Sequence, residues 1–144
     1  MGKKRIAKKS WSGVDAELKA RALGKLPKKK FEKGGVYIRA TYNNTMVSFV
    51  DEKGNVLMWS SAGSMGFKGA RKGTPYAASK VSELIADKAK QIGVRSIDIF
   101  IKGVGSGRES AIRSFVASGI GVDAIRDITP IPHNGPKAPK PRRV

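Results

Sequence analysis

The spacing of apolar residues changes partway along this chain, and that change restricts the folds open to it. Val36, Ile38, Ala40 and Tyr42 alternate with Tyr37, Arg39 and Thr41, the period-two pattern of a strand. Asn43-Asn44 is a turn signal because Asn tolerates left-handed backbone, and residues 46–50 resume as a second strand. "DEKGN" at 51–55 turns the chain again into "VLMWSSA". This stretch predicts a three-stranded antiparallel meander. From Thr74-Pro75, an N-cap followed by a first-turn proline, the spacing becomes helical through Ala78, Val81, Leu84, Ile85, Lys88-Ala89 and Ile92, with Gly93 as the stop. "VRSIDIFIK" at 94–102 reads as a strand whose apolar centre suits burial on both faces. Ile112, Phe115, Val116 and Gly119 line one side of a second helix, Gly119-Ile120-Gly121 breaks it, and "VDAIRDIT" gives a last strand.

The order is therefore β-β-β-α-β-α-β. Strands separated by helices pair in parallel through right-handed crossovers, so the chain predicts a mixed five-stranded sheet with helices on both faces. With 144 residues it is one domain by length. Its charge is unevenly placed. Of the net +18, residues 1–33 hold 12 Lys/Arg against 3 Asp/Glu, and residues 130–144 hold 4 against none. Ends so charged and so poor in large apolar residues cannot offset their ordering entropy by burial, which marks them as arms for a polyanion. Gly34-Gly35 marks the boundary between arm and domain. The expected organisation is a basic arm at 1–33, which includes a weak helical face over 13–26, a globular domain at 34–129 and a basic Pro-rich tail at 130–144.

No cysteine is present, so disulfide scaffolds, zinc ribbons and thiol catalysis are excluded. No apolar run approaches the roughly 18 residues of a membrane span, and the N-terminus lacks the apolar core of a signal peptide. A cytoplasmic location is the default expectation.

The segment "IFIKGVGSGRES" at 99–110 feeds an apolar strand through a glycine-rich loop into a helix. A dinucleotide site would need a sixth-position glycine where Arg108 stands, and a second nucleotide-binding half for which only one strand remains, although Asp127 lies where a ribose carboxylate would sit. A mononucleotide loop would need Gly-Lys-Ser/Thr where the chain has Gly107-Arg108-Glu109. Two readings stay open: a flexible strand-to-helix turn, and a backbone-amide anion site flanked by Arg108 and Arg113, suited to nucleic-acid phosphate.

Lys68, Arg71 and Lys72 lie in one glycine-rich loop just before a helix start, a compact cationic patch able to follow a phosphate backbone. Phe49, Met58, Trp59, Phe67 and Tyr76 read as core and loop anchors rather than base-stacking platforms. His133 is the single histidine and sits in the tail without a metal-binding or catalytic partner. A nuclease is disfavoured because the first strand has no acid and Asp98 alone cannot hold two metals. Asn134-Gly135 is prone to succinimide formation and isoaspartate, since glycine leaves the following backbone nitrogen unhindered.

Four segments in this order, "ATYNNT" (40–45), "SAGSMGFKGARKGTPYAA" (61–78), "KGVGSGRESAIR" (102–113) and "DITPIPHNG" (127–135), closely resemble the eleventh protein of the small ribosomal subunit in its bacterial form. The resemblance implies a non-enzymatic ribosomal RNA-binding protein without cofactor. It implies a ribonuclease-H-like, three-layer α/β/α fold with strand order 3-2-1-4-5 and strand 2 antiparallel. It also implies a place on the small-subunit platform, bridging helices of 16S ribosomal RNA and lining the messenger RNA exit region where the Shine-Dalgarno helix lies. The seventh and eighteenth small-subunit proteins and initiation factor three are the implied partners. Carried onto this sequence, the RNA-contacting residues are Asn43, Asn44 and Thr45; Lys68, Arg71 and Lys72; Gly103, Gly105, Gly107, Arg108 and Arg113; and His133, Asn134, Lys137, Lys140, Arg142 and Arg143. The chain departs from the family in a longer N-terminal arm and in Val104 and Ser106, where many members have prolines. A free-standing basic nucleic-acid-binding or chaperone-like protein is the alternative reading.

Overall fold

Strands β1 (Lys33–Ala40), β2 (Thr45–Val50) and β3 (Val56–Ser61) form the antiparallel meander in a computed structural model that describes residues 29–143. The helical face read at 13–26 lies outside the described residues. The alternation in β1 works as expected: Val36, Ile38 and Ala40 are buried while Tyr37 and Arg39 face outward, because successive strand side chains point to opposite faces. Gly34 and Gly35 fall inside this strand. A Cβ on Gly34 would sit 2.4 Å from the Phe49 ring, so a side chain there would displace one of the largest core residues. The first turn is stapled by Thr41, whose amide donates to Asn44 O (2.9 Å) and whose hydroxyl accepts from the Asn44 amide (3.1 Å).

Helix α1 (Pro75–Ile92) begins and ends where its sequence signals stand. The Thr74 hydroxyl accepts from the Ala77 amide, and Gly93 closes the helix with φ 93°, a left-handed cap that favours glycine. Its apolar stripe, Ala78, Val81, Leu84, Ile85, Ala89 and Ile92, is buried. Lys88 lies on the same stripe, and burial lowers its pKa. Strand β4 (Ser96–Lys102), helix α2 (Gly107–Ala117) and strand β5 (Gly121–Asp127) complete the order.

The sheet runs β3-β2-β1-β4-β5, with β1 antiparallel to β2 and parallel to β4, and β4 parallel to β5. This is the expected mixed five-stranded α/β sheet. The layering differs from expectation. Both helices contribute to one core with Val36, Ile38, Val47, Phe49, Ile97 and Ile99. Tyr37, Arg39, Met46, Trp59 and Lys102, on the opposite face, are exposed. Among the described residues, then, there are two layers, and the third layer of helix is absent. The reason is topological. In this order the crossovers from β3 to β4 and from β4 to β5 advance in the same direction, so two right-handed connections put both helices on one face.

Two local readings are corrected for related reasons. Strand β4 is not buried on both faces: Ile97, Ile99 and Ile101 are buried while Asp98 and Phe100 are partly exposed. In α2 the core positions are Ala111 and Phe115, and Val116 points to solvent at 57% exposure.

Candidate nucleic-acid interface

Because β1, β3, β4 and β5 share one direction, their C-terminal ends lie at one edge of the sheet, where ligands of open α/β sheets bind. Four segments meet there, tied by hydrogen bonds. The Gly105 amide donates to Ala40 O (2.9 Å) and the Ala62 amide to Thr45 O (3.0 Å). The Ser106 hydroxyl donates to Gly73 O at 3.0 Å, and the Gly103 amide donates to Thr129 Oγ1 at 3.2 Å. The hairpin turn, the 63–73 loop, the 103–107 loop and the start of the tail thus form one continuous rim.

The glycines are what allow this closeness. A Cβ on Gly103 would lie 2.1 Å from Ala40 O, on Gly105 2.3 Å from Thr41 O, and on Gly73 2.3 Å from Tyr42 O. On Gly107 it would lie 2.6 Å from Thr45 Oγ1 and 2.7 Å from the Ala78 methyl. This narrows the expected amide cradle. The amides of Gly103 and Gly105 are spent inside the fold, and the glycines press the loop against the end of β1. The strand-to-helix turn is thus pinned rather than flexible, and the amides of Gly103 and Gly105 take no part in an anion site.

Arg108 is committed in the same way. Its guanidinium donates to Gly103 O, to the Asp127 carboxylate and, at 3.3 Å, to Thr129 Oγ1. Asp127 also accepts from the Thr129 hydroxyl (2.6 Å) and amide (2.9 Å). Those Thr129 hydrogen bonds, then Arg108, pull the Asp127 pKa from 3.8 down to about 2. The carboxylate that resembled a ribose ligand is instead a clasp between loop and tail. A depressed native pKa contributes stability above the unfolded pKa and loses it as pH falls through the native one. Asp127→Asn is therefore expected to flatten the acid limb of stability between about pH 4 and pH 2, measured by denaturant melts across that range. An acid limb unchanged by the substitution would show that the clasp does not hold in solution.

The remaining expected site residues fall into two groups. Asn43, Lys68 and Arg71 are exposed on the rim and Lys72 is half-buried, with Arg71 and Lys72 in the last turn of the short 3-10 segment Gly69–Gly73, whereas Arg113 is exposed in the groove between the two helices with Glu83 and Asp87. Met65 and Phe67 tether this loop to the core, and Phe67 meets Tyr76 edge-on at 6.0 Å. Arg113 pairs with Glu109 one turn away, both largely exposed. His133, Asn134, Lys137, Lys140, Arg142 and Arg143 are exposed along the tail, and Asn134 adopts φ 52°.

Thr45 differs: it is fully buried beneath Gly107, so it shapes the rim and does not present a contact. Asn44 is half-buried, and its side-chain carbonyl oxygen is enclosed and unpartnered. Phe49, Met58 and Phe67 are core anchors as expected, whereas Trp59 and Tyr76 are 58% and 54% exposed. Sequence reasoning missed Lys102, which is exposed immediately before Gly103; a cation ending a strand at a glycine loop was the available signal. Among the described residues, no three His, Asp or Glu side chains gather as a metal site would need.

The rim thus offers cations from several segments, a tail with four more, and no cluster of acids for metal-dependent chemistry. A family model described as Ribosomal protein S11 matches residues 34–143, from the first strand to the end of the tail. The chain belongs to the ribosomal protein S11 family, whose members are structural, non-enzymatic, RNA-binding components of the small ribosomal subunit.

Proposed function

We propose that the rim at the C-terminal edge of the sheet holds two or more helices of 16S ribosomal RNA at fixed relative positions. The observation that carries this reading is convergence: the loop bearing Lys68, Arg71 and Lys72, the pinned 103–107 loop with Lys102 beside it, and the origin of the tail all lie on one edge. Folded RNA helices repel one another, and cations from separate segments can neutralise phosphates on each, releasing counterions. In this arrangement Gly103, Gly105, Gly107 and Arg108 set the shape of the rim, while lysine and arginine side chains touch phosphate. Asn43 at the tip of the hairpin turn adds a polar contact.

The domain at 34–129 is the rigid part, and the 130–144 tail, with Lys137, Lys140, Arg142 and Arg143, threads between RNA helices; the 1–33 arm adds further charge. Family resemblance supports a position on the platform beside the messenger RNA exit cleft, with the seventh and eighteenth small-subunit proteins and initiation factor three as neighbours. Deleting residues 136–144 is expected to impair incorporation into small subunits during reconstitution while the thermal midpoint changes little, because residues 136–143 are exposed throughout. Gradient sedimentation of reconstituted particles and a melt of the isolated protein check both halves. Full incorporation of the truncated chain would remove the tail from the interface.

A further inference from the structure

The sheet face opposite the helices is built in rows. Register places Trp59 opposite Ser48, Ser48 opposite Tyr37, Tyr37 opposite Phe100 and Phe100 opposite Arg126, one line across all five strands. Tyr37 and Phe100 stack with centroids 4.7 Å apart and planes 16° apart, and the Arg126 guanidinium lies 5.8 Å from the Phe100 ring centre. Two residues nearer the rim the next row reads Ser61, Met46, Arg39 and Lys102. Between the rows is an apolar hollow of about 190 Å³ lined by Tyr37, Arg39, Met46, Phe100, Lys102 and Ile128. That is below the roughly 300 Å³ at which drug-sized sites begin, and it leaves room for one planar ring system.

Charge on this face is graded. Lys33 and Asp123 pair at 3.1 Å near the start of the strands, with Asp98 close enough to raise the Lys33 pKa. Toward the rim, Arg39, Lys102 and Arg126 follow with no acid in either row. The face therefore joins the rim without a break: Lys102 precedes Gly103, and Ile128 lies between Asp127 and Thr129 of the clasp.

We infer that this open face is a stacking platform for an unpaired nucleotide of bound RNA, seated against the outer ring face of Tyr37, which Phe100 backs, with its phosphate directed to Arg39 and Lys102. The inference rests on the RNA-binding reading of the rim and extends it from phosphate to base. Tyr37 and Phe100 cover one another and Arg126 lies over the Phe100 ring, so the outer face of Tyr37 takes the base and the cationic border its phosphate; stacking needs no particular base because every base has a π-face. A duplex hides its bases and would gain nothing from that ring. The basic 1–33 arm is disfavoured as the occupant, since its charge has the same sign as the border.

The test titrates the full chain into a single-stranded hexanucleotide carrying 2-aminopurine, whose fluorescence is quenched on stacking. The expected result is quenching, with tighter binding than to a blunt duplex of the same sequence. Tyr37→Leu and Phe100→Leu keep apolar bulk but remove the ring, and should weaken hexamer binding about 5- to 150-fold, the range of one base stack, with loss of quenching. Arg39→Ala with Lys102→Ala, both on exposed positions, should weaken binding while quenching at saturation persists, which keeps the test valid if the leucine variants fold poorly. Binding without quenching, or quenching unchanged in folded leucine variants, would overturn the inference. So would a concentration-dependent dimer abolished by Tyr37→Leu, which would give the face to a second copy of the chain. Failure of the rim itself reads differently: affinity for folded small-subunit RNA would then survive loss of Lys68, Arg71 and Lys72.

Discussion

Gly103→Ala is expected to destabilise the domain by about 2–5 kcal/mol, from a strained backbone and an overpacked contact acting together. The backbone at Gly103 has φ 107°, a region that side-chain-bearing residues rarely enter, and the added Cβ would meet Ala40 O at 2.1 Å. Neither problem has a cheap remedy. Ala40 O already accepts the Gly105 amide, so moving it away breaks the bond that pins the loop to β1. Gly119 separates the two contributions: it has φ 81°, and a Cβ added there would meet nothing within 4 Å, so Gly119→Ala carries only the backbone cost, about 1 kcal/mol. Urea unfolding of both variants at equal m-value measures the difference. If Gly103→Ala costs no more than Gly119→Ala, the loop does not approach β1 as closely as described.

That prediction could not be made from the sequence, and the reason is specific. Glycines at 103, 105 and 107 are compatible both with amides turned outward to an anion and with a backbone pressed against its neighbour. Which applies depends on Ala40, Thr41, Thr45 and Ala78, residues remote in sequence that sheet pairing brings beneath the loop. The strands and helices were legible because each carries its own period: Val36 and Ile38 at spacing two, Val81, Leu84 and Ile85 at helical spacing, with Thr74-Pro75 and Gly93 as start and stop. Layering was not legible, because crossover handedness acts together with strand order, and strand order is not written in any local pattern.

The cations divide along the same line. Lys68, Arg71 and Lys72 stand together in sequence and could be read as a patch, while Arg39, Lys102 and Arg126 meet only across three paired strands. Trp59 is instructive as well. Its alternation with buried Met58 and Ser60 places it outward, but no sequence pattern showed that, among the described residues, no helix would pack on its face of the sheet.

The larger expected effect on function belongs to the 63–73 loop. Lys68 and Arg71 are exposed, Lys72 is half-buried, and the loop carrying them is held by buried Met65 and Phe67 at its base, so its charges are presented from a fixed support. Replacing all three by alanine removes three charges and keeps Met65 and Phe67 at the base of the loop. Each phosphate neutralised releases condensed counterions, so the dependence of log K on log salt counts the contacts: about 0.7 to 0.9 of a unit per phosphate. Loss of three contacts should lower affinity most at low salt and least at high salt, since the variant has fewer ions left to displace.

The most direct test of the rim as an RNA interface is therefore the salt slope for binding to folded small-subunit ribosomal RNA, wild type against Lys68→Ala/Arg71→Ala/Lys72→Ala. A slope shallower by about 2 to 3 units in the variant is the predicted result; an unchanged slope, with both proteins folded, would contradict the placement of RNA at this edge of the sheet.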